Sequence, residues 1–108
     1  MQKKKKVRLI GKPLAKLNTD IHERDGHTCI IKGCGRYVLS GEKFHHELCG
    51  NEKEDRIERG CLLCKDHHDT RHHGYKGLVE VRRECIEYLS SLYPDDWTEI
   101  KDRYLDND

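Results

Sequence analysis

Residues 62–74 read LLCKDHHDTRHHG and hold one cysteine and four histidines between Cys64 and His73. Upstream, residues 44–50 read FHHELCG and carry a second adjacent pair, His45 and His46. Further upstream, HTCIIKGCGR at residues 27–36 sets Cys29 and Cys34 around Gly33, with Gly35 following. Cysteines and histidines at such spacings are metal ligands by type, and their order along the chain sets the reading of the fold.

A staple is also what the composition calls for. The chain has 108 residues, 34% hydrophobic and 38% charged, so it is one domain with a thin core. The N-terminal MQKKKKVRLIGK has a basic run but no apolar stretch beyond Leu9 and Ile10, so no signal peptide is read, and no segment has transmembrane length. A reducing, cytoplasmic compartment is the expectation, which makes the six cysteines thiols or thiolates rather than disulfides.

The net charge is +1, but its distribution is uneven. Residues 1–19 carry Lys3, Lys4, Lys5, Lys6, Arg8, Lys12 and Lys16 with no acid, whereas residues 95–108 are acidic. Residues 1–17 are read as a flexible basic arm of the kind that tracks phosphates, or as a solubilising tail. A short helix is expected over IHERD, capped by Asn18 or Thr19 and ended by Gly26. YVLSGEKFHHEL suggests a hairpin turning at Ser40-Gly41, and 51–59 a charged loop. Cys61 to Leu63 reads as a return strand, and a helix follows from about Asp66 to Gly74. Leu78, Val81, Cys85, Ile86, Leu89, Leu92 and Tyr93 recur at helical spacing until Pro94, and Trp97, Ile100, Tyr104 and Leu105 continue it. Cys85 on that face is a small buried hydrophobe.

The ligands divide into a closed set and an open one. Structural Zn²⁺ takes four tetrahedral ligands, commonly as two close pairs. Cys29-x4-Cys34 is one pair. The other is Cys64-x2-His67 or, alternatively, Cys61-x2-Cys64; the first is preferred because Cys61 sits in the apolar run Cys-Leu-Leu. His68 and His72, four apart, share one face of a helix. His45 and His46, neighbours on a strand, alternate faces, so one binds metal while the other meets a substrate.

RDGHTCIIKGCG, FHHEL and LLCKDHHDTRHHG, taken in this order, resemble the HNH endonucleases, small metal-dependent nucleases common in phages and prophages. The resemblance covers about half the chain and implies an α+β fold with a ββα-metal core over 18–76, stapled by structural zinc, with a helical extension over 77–108. It implies that His46 is the general base, that His45, His68 and His72 hold a divalent ion (Mg²⁺, Mn²⁺, Ni²⁺ or Zn²⁺), and that DNA is the substrate. The ion would stabilise the phosphate and the leaving 3′ oxygen while His46 takes a proton from water. The family asparagine has two candidates, Asn51 and Arg59, the latter standing nine residues before His68 and able to contact phosphate. An imidazole at 45 shifts preference from Mg²⁺ toward Mn²⁺, Ni²⁺ or Zn²⁺. Lys43, Lys65, Arg71 and Lys76 are further phosphate candidates. One such site cuts one strand, so double-strand cleavage would need a homodimer or two nicks, and a phage or host protein is a further possible partner. The rival reading is a non-catalytic zinc module that binds nucleic acid or protein.

Overall fold

The structure is a computed structural model that describes residues 6–74 and 77–105, without the side chains of Asn51 and 102–105. The arm residues Lys3, Lys4 and Lys5, the candidate Lys76, and the side chains of Asn51, Tyr104 and Leu105 therefore lie outside the described residues. The fold is α+β: four helices and one two-stranded sheet among the described residues. None of these helices is long and apolar enough to cross a membrane.

Helix α1 spans Lys12–Arg24 and starts earlier than the capping signal at Asn18 suggests. Pro13 lies in its first turn, where a missing N–H costs nothing and the fixed φ favours the helix. Leu14, Leu17 and Ile21, spaced three and four apart, then pack on Val38, Phe44 and Leu62 in one of two apolar clusters. The arm is also anchored before the helix, because the Leu9 amide donates to Asp55 Oδ2 at 2.7 Å and the Asp55 amide to the Val7 carbonyl at 2.8 Å.

The expected hairpin is rearranged. The chain does turn at residues 39–42, the Glu42 amide donating to the Leu39 carbonyl. Yet strand β1 (His45–His46) does not pair with the segment before that turn. It pairs antiparallel with β2 (Gly60–Cys61), His45 opposite Cys61 and His46 opposite Gly60. The true hairpin loop is thus the charged segment between them, ordered by 3₁₀ turns at Gly50–Glu52 and Ile57–Arg59.

Side-chain alternation after β2 divides the core. Leu62 enters the α1 cluster, whereas Cys61 and Leu63 join Val81, Cys85, Ile86, Leu89 and Trp97 in the other. Helix α2 (Lys65–His73) follows at the expected place, then α3 (Leu78–Leu92) and α4 (Pro94–Leu105). Val81, Cys85, Ile86 and Leu89 form the buried stripe of α3, as the periodicity requires, while Leu92 is partly exposed.

A polar latch joins these parts. Arg24, at the end of α1, pairs with Asp25 and donates to the carbonyls of Ile57 (2.6 Å) and Gly60 (2.5 Å). Its guanidinium lies over the rings of Tyr88 and Tyr93. Asp25 in turn accepts from the Leu62 amide at 2.9 Å and from the Tyr88 hydroxyl. The buried carboxylate and half-buried guanidinium are tolerated because nearly every polar atom has a partner.

Candidate metal centres

The first centre is the knuckle. Gly33 and Gly35 take positive φ (78° and 66°), letting the chain double back between Cys29 and Cys34. Cys64 caps α2, its sulfur facing the His67 amide at 3.5 Å. The donor atoms of Cys29, Cys34, Cys64 and His67 all lie within 4.8 Å of one another. Cys29 Sγ is 3.5 Å and Cys64 Sγ 3.2 Å from His67 Nδ1, and Cys34 Sγ is 3.9 Å from Cys64 Sγ. Ligands on a tetrahedral zinc stand about 3.4–3.8 Å apart, so this donor set fits the ion. Cys61, the alternative ligand, is instead fully buried in the apolar core beside Cys85. None of the six cysteines is disulfide-bonded. Burial pushes the Cys29 thiol up to about 12. Burial also opposes ionisation of Cys34, but the Arg36 amide and the neighbouring thiols outweigh it and lower its pKa. Binding a metal here would displace protons, which makes affinity pH-dependent.

The second centre is a histidine cluster between β1 and α2. The His45 ring lies 5.4 Å from both His68 and His72, and those two are 4.5 Å apart. His68 and His72 share one face of α2, as their spacing requires. Glu47, two residues from His45 in the bend that follows β1, accepts from His45 Nε2 at 2.7 Å and is fully buried. Arg71 holds the other side of that carboxylate through Nη2 to Oε1 (2.7 Å) and Nε to Oε2 (3.2 Å). Arg71, a phosphate candidate by sequence, is thus committed to Glu47. His45 Nδ1 is buried with no hydrogen-bond partner among the described residues. Burial, then the nearby His68 and His45, push His72 down to about 4, and burial followed by His45 lowers His68. The three rings adjoin, but the donor atoms that lie within 4.8 Å of one another here are those of His45, Cys49 and His72; His68 is outside that set.

His46 stands beside this cluster in different company. Its ring packs against Phe44 at 4.6 Å, and Nε2 meets Asp55 Oδ1 at 2.7 Å. Asp55 Oδ2 accepts from the Leu9 amide and, at 3.3 Å, from Arg8 Nε. Burial lowers the His46 pKa more than Asp55 raises it. The Asp55 carboxyl is itself lowered: burial opposes this, but His46, the Leu9 amide and Arg8 prevail. His45, His46, His68 and His72 all line one open cleft of about 450 Å³, with Arg8, Lys43 and Lys53 on its walls.

Arg59 is not at this cleft. Its Nε donates to Asp96 Oδ2 at 2.7 Å and its guanidinium stacks 5.0 Å from the Trp97 ring, so it binds the loop to α4 rather than contacting phosphate. Asn51 lies in the 3₁₀ turn Gly50–Glu52. Three residues not singled out by sequence belong to the site: Glu47, Asp55 and Cys49. Glu47 had a signal, an acid two residues from His45 in the stretch FHHEL. Asp55 had none, being one acid among several in a charged loop. No protein-family model, curated protein or solved structure matches the chain.

Proposed function

We propose that the chain is a metal-dependent endonuclease or nickase that hydrolyses phosphodiester bonds in DNA. The observation that carries this reading is the paired arrangement in one cleft: His46 oriented by Asp55, beside the adjoining rings of His45, His68 and His72. Zn²⁺ held by Cys29, Cys34, Cys64 and His67 would be structural, fixing the knuckle against the start of α2.

Asp55, ionised, accepts the Nε2 proton of His46, which fixes the tautomer and leaves Nδ1 as the basic nitrogen. A lowered pKa keeps that imidazole neutral at physiological pH. His46 takes a proton from water as the oxygen attacks phosphorus; the bond to the 3′ oxygen breaks and that oxygen takes a proton from solvent, giving a 5′ phosphate and a 3′ hydroxyl. A divalent cation at His45, His68 and His72 supplies, when bound, positive charge for the phosphate and the leaving oxygen. Arg8, Lys43 and Lys53 on the cleft walls favour a polyanion without selecting sequence.

The test is supercoiled plasmid incubated with zinc-loaded protein and EDTA, Mg²⁺, Mn²⁺, Ni²⁺ or Zn²⁺. Wild type should nick with at least one ion, and His46→Ala should lose about 100-fold or more in rate while keeping its structural zinc. Equal cutting by His46→Ala would remove His46 from the mechanism. No cutting with any ion by folded protein would favour a zinc module that only binds nucleic acid or protein.

A further inference from the structure

Cys49 lies three residues past the end of β1, and the chain leaves it through Gly50 at φ 66° into the 3₁₀ turn. This places a half-buried thiol on the wall of the histidine cleft. The donor atoms of His45, Cys49 and His72 lie within 4.8 Å of one another. His45 Nε2 is taken by Glu47, so Nδ1, buried and without a partner among the described residues, is the nitrogen left to coordinate. The Cys49 sulfur has one weak contact of its own, 3.7 Å from the His46 carbonyl.

We propose that Cys49 is a metal ligand of the cleft, joining His45 and His72 in a mixed nitrogen–sulfur site that takes Zn²⁺ or Co²⁺ in preference to Mg²⁺. Magnesium demands oxygen donors and holds its waters, whereas imidazole and thiolate donors suit the later first-row ions. Three such protein donors are also what zinc takes where a further position stays open to water or substrate. His68, whose ring adjoins His72, lies outside this donor set, so Cys49 takes the place that the proposed function gives to His68. Glu47 completes a carboxylate–histidine–metal arrangement, with Arg71 fixing the carboxylate. The inference rests on the metal-binding half of the proposed function and not on the nuclease half.

The experiment starts from full-length protein carrying one equivalent of zinc and titrates it with Co²⁺. Near-ultraviolet thiolate-to-cobalt absorption is followed, with a dye that reports any released zinc. Wild type should gain that absorption without releasing zinc. Cys49→Ser should lose the absorption and bind the second ion about tenfold or more weakly, with Mn²⁺ binding little changed. His72→Ala should lose the second ion. Mapping alkylation in wild-type protein gives a readout independent of any variant: the second equivalent should protect Cys49 from iodoacetamide.

Undiminished absorption in Cys49→Ser, or alkylation of Cys49 indifferent to the second equivalent, would overturn the assignment. Wild type binding no second ion would overturn it together with the metal reading of the cleft. Normal second-ion binding with no plasmid cleavage would refute the nuclease and leave the Cys49 site standing.

Discussion

Gly60→Ala tests how tightly the hairpin, the first helix and His46 are packed together. Gly60 has φ −140° and ψ 144°, extended backbone that alanine adopts without strain, so only space decides the outcome. A Cβ there would sit 2.5 Å from Phe44 Cδ2, 2.7 Å from Phe44 Cε2 and 2.8 Å from Ile21 Cδ1. Both neighbours are buried, and the Phe44 ring backs His46. Overpacking of this kind costs about 1–3 kcal/mol. Restricting the unfolded chain returns about 0.4–1 kcal/mol. The net expectation is a loss of about 1–2 kcal/mol, read as a lower denaturation midpoint at unchanged m-value in zinc-loaded protein. Thermal unfolding should fall by roughly 4–8 °C per kcal/mol. Phe44→Leu opens the space, so the double variant should be more stable than the sum of the single effects requires. If Gly60→Ala proved as stable as wild type or more so, the close approach of Phe44 and Ile21 to β2 would be refuted.

Two further outcomes separate the metal and core assignments. Cys64→Ala should lose the structural zinc and much of the fold, as chelation of wild type should, because metal binding at such sites contributes roughly 10 kcal/mol or more to folding; Cys61→Ala should keep its zinc by elemental analysis while losing stability. Arg59→Met should lose about 1–3 kcal/mol through its ties to Asp96 and Trp97, with plasmid nicking under stabilising conditions unchanged; a selective loss of nicking would return Arg59 to the site.

What the sequence made legible was local. His68 and His72 share a helix face because four residues make about one turn, and Cys64 and His67 converge because both lie at the start of that same helix. The buried stripe of α3 is likewise a matter of period alone. What escaped depended on distant chain. β1 and β2 are two residues each, too short for an alternating pattern, and their pairing spans a loop that no turn signal marks. Leu14 and Leu17 of α1 sit among lysines and read as arm until Phe44 and Leu62 arrive to cover them. Arg59 and Asp55 look like ordinary surface charges, and only Trp97 with Asp96, or His46 with Leu9, gives each a buried role.

The Arg24–Asp25 latch bears on how far the site could be transplanted. With a sheet of two residues per strand, the backbone ladder contributes little to holding β1 and β2 in place. The carbonyls of Ile57 and Gly60 and the amide of Leu62 are gripped instead by side chains 33 to 37 positions earlier, which are themselves clasped by Tyr88 of α3 and by Tyr93 just past its end. A peptide running from Phe44 to Gly74 would carry every histidine of the cleft yet neither Arg24 and Asp25 nor the tyrosines that clasp them. Closing such distant contacts costs loop entropy that only the packed domain offsets. The centre is therefore not a portable motif: it forms with the whole domain, and minimising the chain to its ligand-bearing segment should abolish it.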